Sequence, residues 1–397
     1  MNQNRQAPQE VILRRFATVK QGYTFSPKFQ GRSAGRWLWA KVSDMEAVGN
    51  EVYLRTASNH IDDGMLEELG LTPFEAGSVI FPRVGAALKT NKKRILDEPC
   101  LVDDNVLVVT VRDNDICLPK FLYYWFQSIS LDRAFAHGGL VPSIPPRAVL
   151  NAKVPIPPID VQQQIASILS TWDRAIEQTE RLIAAKRRRK QALMQQLLTG
   201  KRRFSGEDVR EWRYVKATDL FQNRSLKGHN TLPVLSVTQD QGVVLRSSLE
   251  RKINMSDENT GGYKLVEPGD FVISLRSFQG GLEYSEVRGI VSPAYHVIHS
   301  KEELCPAFYR HFFKSSWFIG HLAVAVIGIR DGKQVSFDDF SSMKIPCPSP
   351  AEQRRIAGCL DCCDHEIDAL RKKFEALKKQ KKCLMQQLLT GKVRGEE

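Results

Sequence analysis

The chain has 397 residues, 42% of them hydrophobic and 26% charged, enough for two or three domains with their own cores and too balanced for a disordered polymer. A formal net charge of +12 points to an acidic partner. The polar start from Met1 to Gln6 has no apolar stretch behind it and the longest small apolar run, Leu322 to Ile329, is too short to cross a bilayer, so a cytoplasmic protein is expected, without a disulfide framework.

In chain order, residues 1–150 read as a first globular domain. Gly77-Ser-Val-Ile-Phe-Pro-Arg83 has the glycine, β-branched and aromatic run of a strand that leads into a turn. Arg83, Lys89, Asn91, Lys92, Lys93 and Arg94 follow as the densest polar and basic stretch of the segment. Pro119 then opens an aromatic helix through Phe126; a proline in the first turn followed by large apolar residues reads as a core helix rather than a base-stacking platform. Residues 151–205 form a helical region. Pro155, Pro157 and Pro158 stop the helix from extending backward. Ile165, Leu169, Trp172, Ile176, Thr179, Ile183, Lys186, Lys190, Leu193 and Leu197 then follow spacings of four and three, the seam of a two-stranded coiled coil. Thr199-Gly200 supplies its stop.

Residues 206–340 read as a second globular domain with the same order of features. Gly269-Asp-Phe-Val-Ile-Ser-Leu-Arg276 is its glycine-led strand and Pro306 opens its aromatic helix. Residues 341–397 repeat the helical region. Pro346, Pro348 and Pro350 precede a seam of Ile356, Leu360, Cys363, Ile367, Leu370, Phe374, Leu377, Lys381, Leu384 and Leu388, and Thr390-Gly391 ends it. At a constant offset of 191, about 20 of the 49 aligned positions from Lys153 and Lys344 onward are identical, which is a true internal repeat. Each helix of about 35 residues would be roughly 50 Å long.

Charge concentrates on these helices. No acid occurs between Arg181 and Glu207, while Lys186, Arg187, Arg188, Arg189, Lys190, Lys201, Arg202 and Arg203 all fall there; Lys378, Lys379, Lys381 and Lys382 form the second run. A solvated face is one reading, contact with DNA phosphates or a partner subunit the other. Cys359, Cys362, Cys363 and His365 lack a second CxxC pair to complete a zinc site. Cys363 takes the seam slot that Trp172 fills in the first copy, so packing explains it better.

The globular–helix–globular–helix order, the Pro155-Ile-Pro-Pro158 lead-in, the Gln163-Gln-Ile-Ala166 start and the Leu193-Met-Gln-Gln-Leu-Leu-Thr-Gly200 ending resemble the specificity subunit of type I restriction–modification systems. The resemblance covers essentially the whole chain and is most specific in the helices. It implies an α+β fold in which two globular α/β target recognition domains are separated by two long helices pairing as an antiparallel coiled coil, with pseudo-two-fold symmetry. It further implies a bipartite, asymmetric double-stranded DNA site with a fixed gap, docking of two modification (methyltransferase) subunits, and recruitment of motor-nuclease restriction subunits. S-adenosylmethionine and ATP with magnesium would belong to those partners, with no cofactor in this chain and no membrane association.

In such domains the loops after the glycine-led strands are candidates for the major groove, since arginine can hold guanine and asparagine or glutamine can hold adenine. The first-domain candidates are Arg83, Lys89, Asn91, Lys92, Lys93 and Arg94. Those of the second are Arg276, Ser277 and Gln279, with Asn223, Arg224 and Lys227 as a further loop.

No sequence motif supplies catalysis. Val291-Ser-Pro-Ala-Tyr295 lacks the acid and second proline of an adenine methyltransferase motif, and Asp240 with Glu250-Arg-Lys252 has only a nuclease-like spacing. Gly200-Lys201 has no phosphate-loop glycine upstream. Two other function classes stand beside the resemblance: a coiled-coil scaffold that clamps protein partners without reading sequence, and a restriction–methylation fusion.

Overall fold

The computed structural model describes residues 8–138, 141–204, 211–239, 241–249, 260–275, 277–301, 304–326 and 335–390. Contacts divide the chain into two compact units, residues 1–181 with 371–397, and residues 182–370. Each unit therefore contains one globular domain and part of both long helices, Ile159–Leu197 and Pro350–Leu389.

In the first unit, Gln9–Ile12 pairs antiparallel with Lys153–Ile156, closing the domain where the first long helix begins. Its main sheet has the order Ala17–Gln21, Val106–Val111, Val79–Pro82, Arg94–Leu96, Tyr53–Leu54, antiparallel except for the last pair. The glycine-led strand, Val79–Pro82, is buried at every position, which explains its unbroken apolar run. The helix Pro119–Ser128 buries Phe121 through Phe126, so it is a core helix as expected. A smaller sheet of His60–Ile61, Trp37–Ala40 and Leu101–Val102 encloses Trp39 in a satellite core.

The second unit repeats this plan. Arg213–Lys216 pairs antiparallel with Lys344–Cys347 beside the start of the second long helix. Its main sheet runs Phe221–Arg224, His296–Ser300, Phe271–Ile273, Glu283–Tyr284, entirely antiparallel. The glycine-led strand holds the same third place as in the first domain. Pro306–Phe312 packs Phe308, Tyr309 and Phe312 into an aromatic core. The two sheets share the order of their first four strands, the first sheet adding Tyr53–Leu54 as a fifth, although their loops barely align.

The long helices have 39 and 40 residues. In the first unit, Ile165, Ala166 and Leu169 share a core with Met385, Leu388 and Leu389, so the beginning of one helix lies beside the end of the other. In the second unit, Leu197 and Leu198 share a core with Ile356, Ala357 and Leu360. The pairing is antiparallel in both. Every residue of the two seams is buried or half-buried, as the heptad spacing predicts. Each large aliphatic side chain fully covered contributes about 1.5–3 kcal/mol. Gly200 ends the first helix in the left-handed region, at φ 71°, a conformation that glycine adopts without strain. Gly391 lies outside the described residues.

One polar pair secures both helix starts. Gln162 is fully buried; its amide donates to Ile116 O and Pro157 O and accepts from Leu118 N, at 2.8–2.9 Å. Gln353, its repeat partner, donates to Pro348 O and accepts from Cys305 N, both at 2.9 Å. Each glutamine ties a long helix to the residues just before the aromatic helix of its domain.

Candidate nucleic-acid interface

The first domain's candidate residues divide into outward-facing and inward-facing groups. Arg83 stands half-buried at the end of the glycine-led strand and donates Nε to Asp104 O at 3.3 Å. A 3-10 turn, Gly85–Thr90, follows and presents Lys89 to solvent. Lys92 forms an ion pair with the exposed carboxylate of Glu46.

The other three residues correct the sequence expectation. Asn91 sits at φ 52° and spends its side chain inside the fold, accepting from Leu131 N at 2.9 Å and donating to Ile129 O at 3.2 Å. That left-handed turn directs the chain inward. Lys93 is 0% exposed and donates Nζ to Ile129 O at 2.9 Å. Burial pulls its pKa down to about 7. Arg94 donates to Lys93 O at 2.7 Å and to Met45 O at 2.6 Å. These three groups hold the loop together, and their polar atoms are turned away from any external duplex.

The second domain needs a similar correction. Asn223 and Arg224 belong to the strand Phe221–Arg224, not to a loop. Arg224 is tied to the buried Asp270, with Nε 3.0 Å from Oδ2. Asn223 faces solvent, and Lys227 is exposed beyond the strand's end. Ser277 is buried and accepts from Ser274 N at 2.9 Å, which fixes the turn into the short helix Ser277–Gly280. Gln279 on that helix is exposed, while Arg276 lies outside the described residues. The surviving outward groups are Arg83, Lys89 and Lys92 in one domain and Asn223, Lys227 and Gln279 in the other.

On the helices, Arg187, Arg188 and Arg189 are exposed, as are Lys378, Lys379 and Lys382. The seam lysines differ. Lys190 Nζ lies 2.6 Å from both carboxylate oxygens of Asp364, and Lys186 pairs with Glu366. Lys381 pairs with Asp173, which also accepts from Tyr124 Oη at 2.6 Å. Arg203 and Trp212 converge on the buried Glu352 at 2.7–2.9 Å. At the 191-residue offset Asp173 is the repeat partner of Asp364, and Lys190 that of Lys381, a match the seam pattern alone does not connect. Two charged residues recurring on an apolar lattice in both copies was the signal that could have found these pairs.

Among the described residues one group has the makings of a metal site: ligand atoms of His311, Asp361 and Asp364 lie within 4.8 Å of one another. Arg310 approaches Asp361 at 2.5 Å and Lys190 approaches Asp364 at 2.6 Å. Those cations already balance both carboxylates, so the group is an ion-pair network. Burial lowers the His311 pKa, and the neutral ring bonds Asp361 through Nε2 at 2.6 Å. Cys362 and His365 are exposed and Cys359 packs against the second core. Val291 of the methyltransferase-like stretch is a buried strand residue, while Asp240 and Glu250-Arg-Lys252 lie outside the described residues. No helix among the described residues is long and apolar enough to cross a membrane.

Comparison with known proteins agrees with this geometry. The putative type I restriction enzyme MjaX specificity subunit of Methanocaldococcus jannaschii is 24% identical over 372 residues, covering 89% of this chain and 87% of that protein. The type I restriction enzyme MjaVIII specificity subunit of the same organism is 27% identical over 300 residues, 68% of this chain and 70% of that protein. The crystal structure of the type I restriction–modification system S subunit from M. genitalium superposes with a TM-score of 0.58 at 14% identity, over 98% of both chains, and so shares the fold. The type I restriction modification DNA specificity domain matches twice, at residues 16–186 and 208–379, one copy for each globular domain with the helix that follows it. With two copies of that domain covering most of its length, the chain belongs to the family of type I restriction–modification DNA specificity subunits.

Proposed function

We propose that the two domains read the two halves of one asymmetric, bipartite DNA site, separated by a gap whose bases are not read. The observation that carries this reading is the repetition of one sheet order with the glycine-led strand in the same place, followed by unlike loops. One scaffold used twice with different side chains presented is suited to two different half-sites. In the first domain Arg83 and Lys89 are the leading contacts; in the second they are Asn223, Lys227 and Gln279. Arginine can address guanine, and asparagine or glutamine adenine, through paired hydrogen bonds in the major groove.

The long helices would set the gap and carry the docking surfaces for two modification subunits, to which restriction subunits are added. The chain itself would not catalyse: the relatives' names state a specificity role, and the motifs that most resemble catalytic ones are incomplete. S-adenosylmethionine, ATP and magnesium would then act in the partner subunits. Selection from a random duplex pool, with and without modification subunits, tests the reading. Recovery of two fixed blocks at constant separation is the expected result. Partner binding without base selection would favour a scaffold, and methyl transfer by the purified chain alone would overturn the non-catalytic reading.

A further inference from the structure

The two seams contain mostly interchangeable aliphatic residues, and such a seam selects neither orientation nor register strongly. Two reciprocal ion pairs interrupt it. In the first unit Asp173 meets Lys381, their side chains 14% and 16% exposed. In the second unit Lys190 meets Asp364, at 19% and 38% exposure. Asp173 and Lys190 are the repeat partners of Asp364 and Lys381, so both copies of the helix have one aspartate and one lysine at the same two seam-side positions.

The residue numbers of both pairs add to the same total, which defines one antiparallel register. In a parallel arrangement of the repeats Asp173 would face Asp364, and Lys190 would face Lys381. Slipping by one heptad would set Asp173 beside Phe374 or Leu388. Each alternative leaves a partly buried charge without its partner, which costs far more than the pair itself contributes. The helix ends are already held by the domain cores, through Leu388 and Leu389 in one and Leu197 and Leu198 in the other. The ion pairs lie further toward the middle of the helices than these apolar contacts, and Tyr124 of the first core bonds Asp173 of one pair at 2.6 Å.

We infer that Asp173–Lys381 and Lys190–Asp364 are the orientation and register keys of the helix pair, and hence positioning residues for the gap between half-sites. The gap clause rests on the reading of the helices as a spacer; the register clause does not.

Composition-neutral exchange on one helix tests it in the full chain. The double variant Asp173→Lys with Lys190→Asp places like charges at both contacts and complementary ones in the parallel alternative. Tyr124 keeps Ser170 as a partner, 3.2 Å away. The expected result is a fall of several degrees in thermal midpoint. A benzoylphenylalanine replacing Ile176 should also lose its cross-link to the peptide around Leu377, the seam position opposite it in this register. Adding Asp364→Lys and Lys381→Asp should restore the midpoint, the cross-link and the wild-type gap selected from a random duplex pool. A double variant that matches the wild type, or a fourfold variant that fails to recover, overturns the inference even if the double variant does not fold. If the wild type selects no split site at all, the reading of the helices as a spacer fails, while the midpoints and cross-links still judge the keys.

Discussion

At the scale of single residues, Lys93 shows how burial reverses the meaning of a basic side chain. Its ammonium reaches only one carbonyl, Ile129 O, and burial is the leading cause of its fall from 10.5 to about 7. The unfolded chain keeps this proton up to the ordinary lysine range, whereas the folded chain releases it near neutrality. Between about pH 7 and the ordinary lysine range the unfolded state therefore binds more protons, and this group makes stability rise with pH; below about 7 its penalty is fully present. Lys93→Met should raise the unfolding midpoint at pH 6 and remove that part of the pH dependence, as denaturant titrations at several pH values will show. A variant less stable than the wild type at pH 6 would mean the hydrogen bond to Ile129 outweighs the desolvation. Arg83 is the contrasting case, basic and facing outward. Arg83→Ala should cost about 1–3 kcal/mol of specific binding and relax preference in one half-site only. Equal losses at both half-sites would place Arg83 outside base readout.

At the scale of elements, Gln162 and Gln353 make the junction between each domain and its long helix. Gln162→Leu removes the acceptor of Leu118 N and leaves Ile116 O and Pro157 O without this donor. A buried group left unsatisfied costs about 1–3 kcal/mol, so the variant should lose about that much on urea denaturation. The exposed Arg187, Arg188 and Arg189 predict a different outcome. Replacing all three with alanine should leave stability nearly unchanged while lowering DNA affinity or partner assembly evenly across sequences. If they meet phosphates, the dependence of log affinity on log salt becomes shallower. A change in base preference, with Arg83→Ala showing none, would exchange the roles assigned to loop and helix.

At the scale of the whole molecule, the repeat predicts what half of it can do. In the first unit Leu384, Met385, Leu388 and Leu389 pack against the core of the first domain. Residues 193, 194, 197 and 198 are the same Leu, Met, Leu and Leu in the first helix. A fragment of residues 1–204 has lost its partner helix, and a second copy can supply identical side chains to the same sockets. Asp173 of one copy would then meet Lys190 of the other, as Asp173 meets Lys381 in the intact chain. Thr179 and Lys186 replace the seam residues Leu370 and Leu377, so this dimer should be weaker than the native pairing. Light scattering should show a dimer, and with modification subunits the fragment should select an inverted repeat of the first half-site. A stable monomer, or selection of an asymmetric site, would count against two equivalent halves.

The sequence by itself determined the elements that depend on spacing. Heptad periodicity, the 191-residue offset, proline-led helix starts and glycine-led strands are local patterns, and the chain folds locally as they indicate. It could not determine which polar side chains point outward. Asn91, Lys93 and Arg94 look like a basic loop in any linear reading; only the left-handed turn at Asn91 and the carbonyls of Ile129 and Met45 turn them inward. Asn223 and Arg224 look like a loop until their ladder with His296–Ser300 makes them a strand. The recurrence of Asp173 and Lys190 as Asp364 and Lys381 is legible along the chain, but which aspartate meets which lysine is decided by the antiparallel register, which brings together partners separated by 208 and 174 residues. Periodicity is a property of neighbours along the chain, whereas burial and charge pairing are properties of whatever the fold brings alongside.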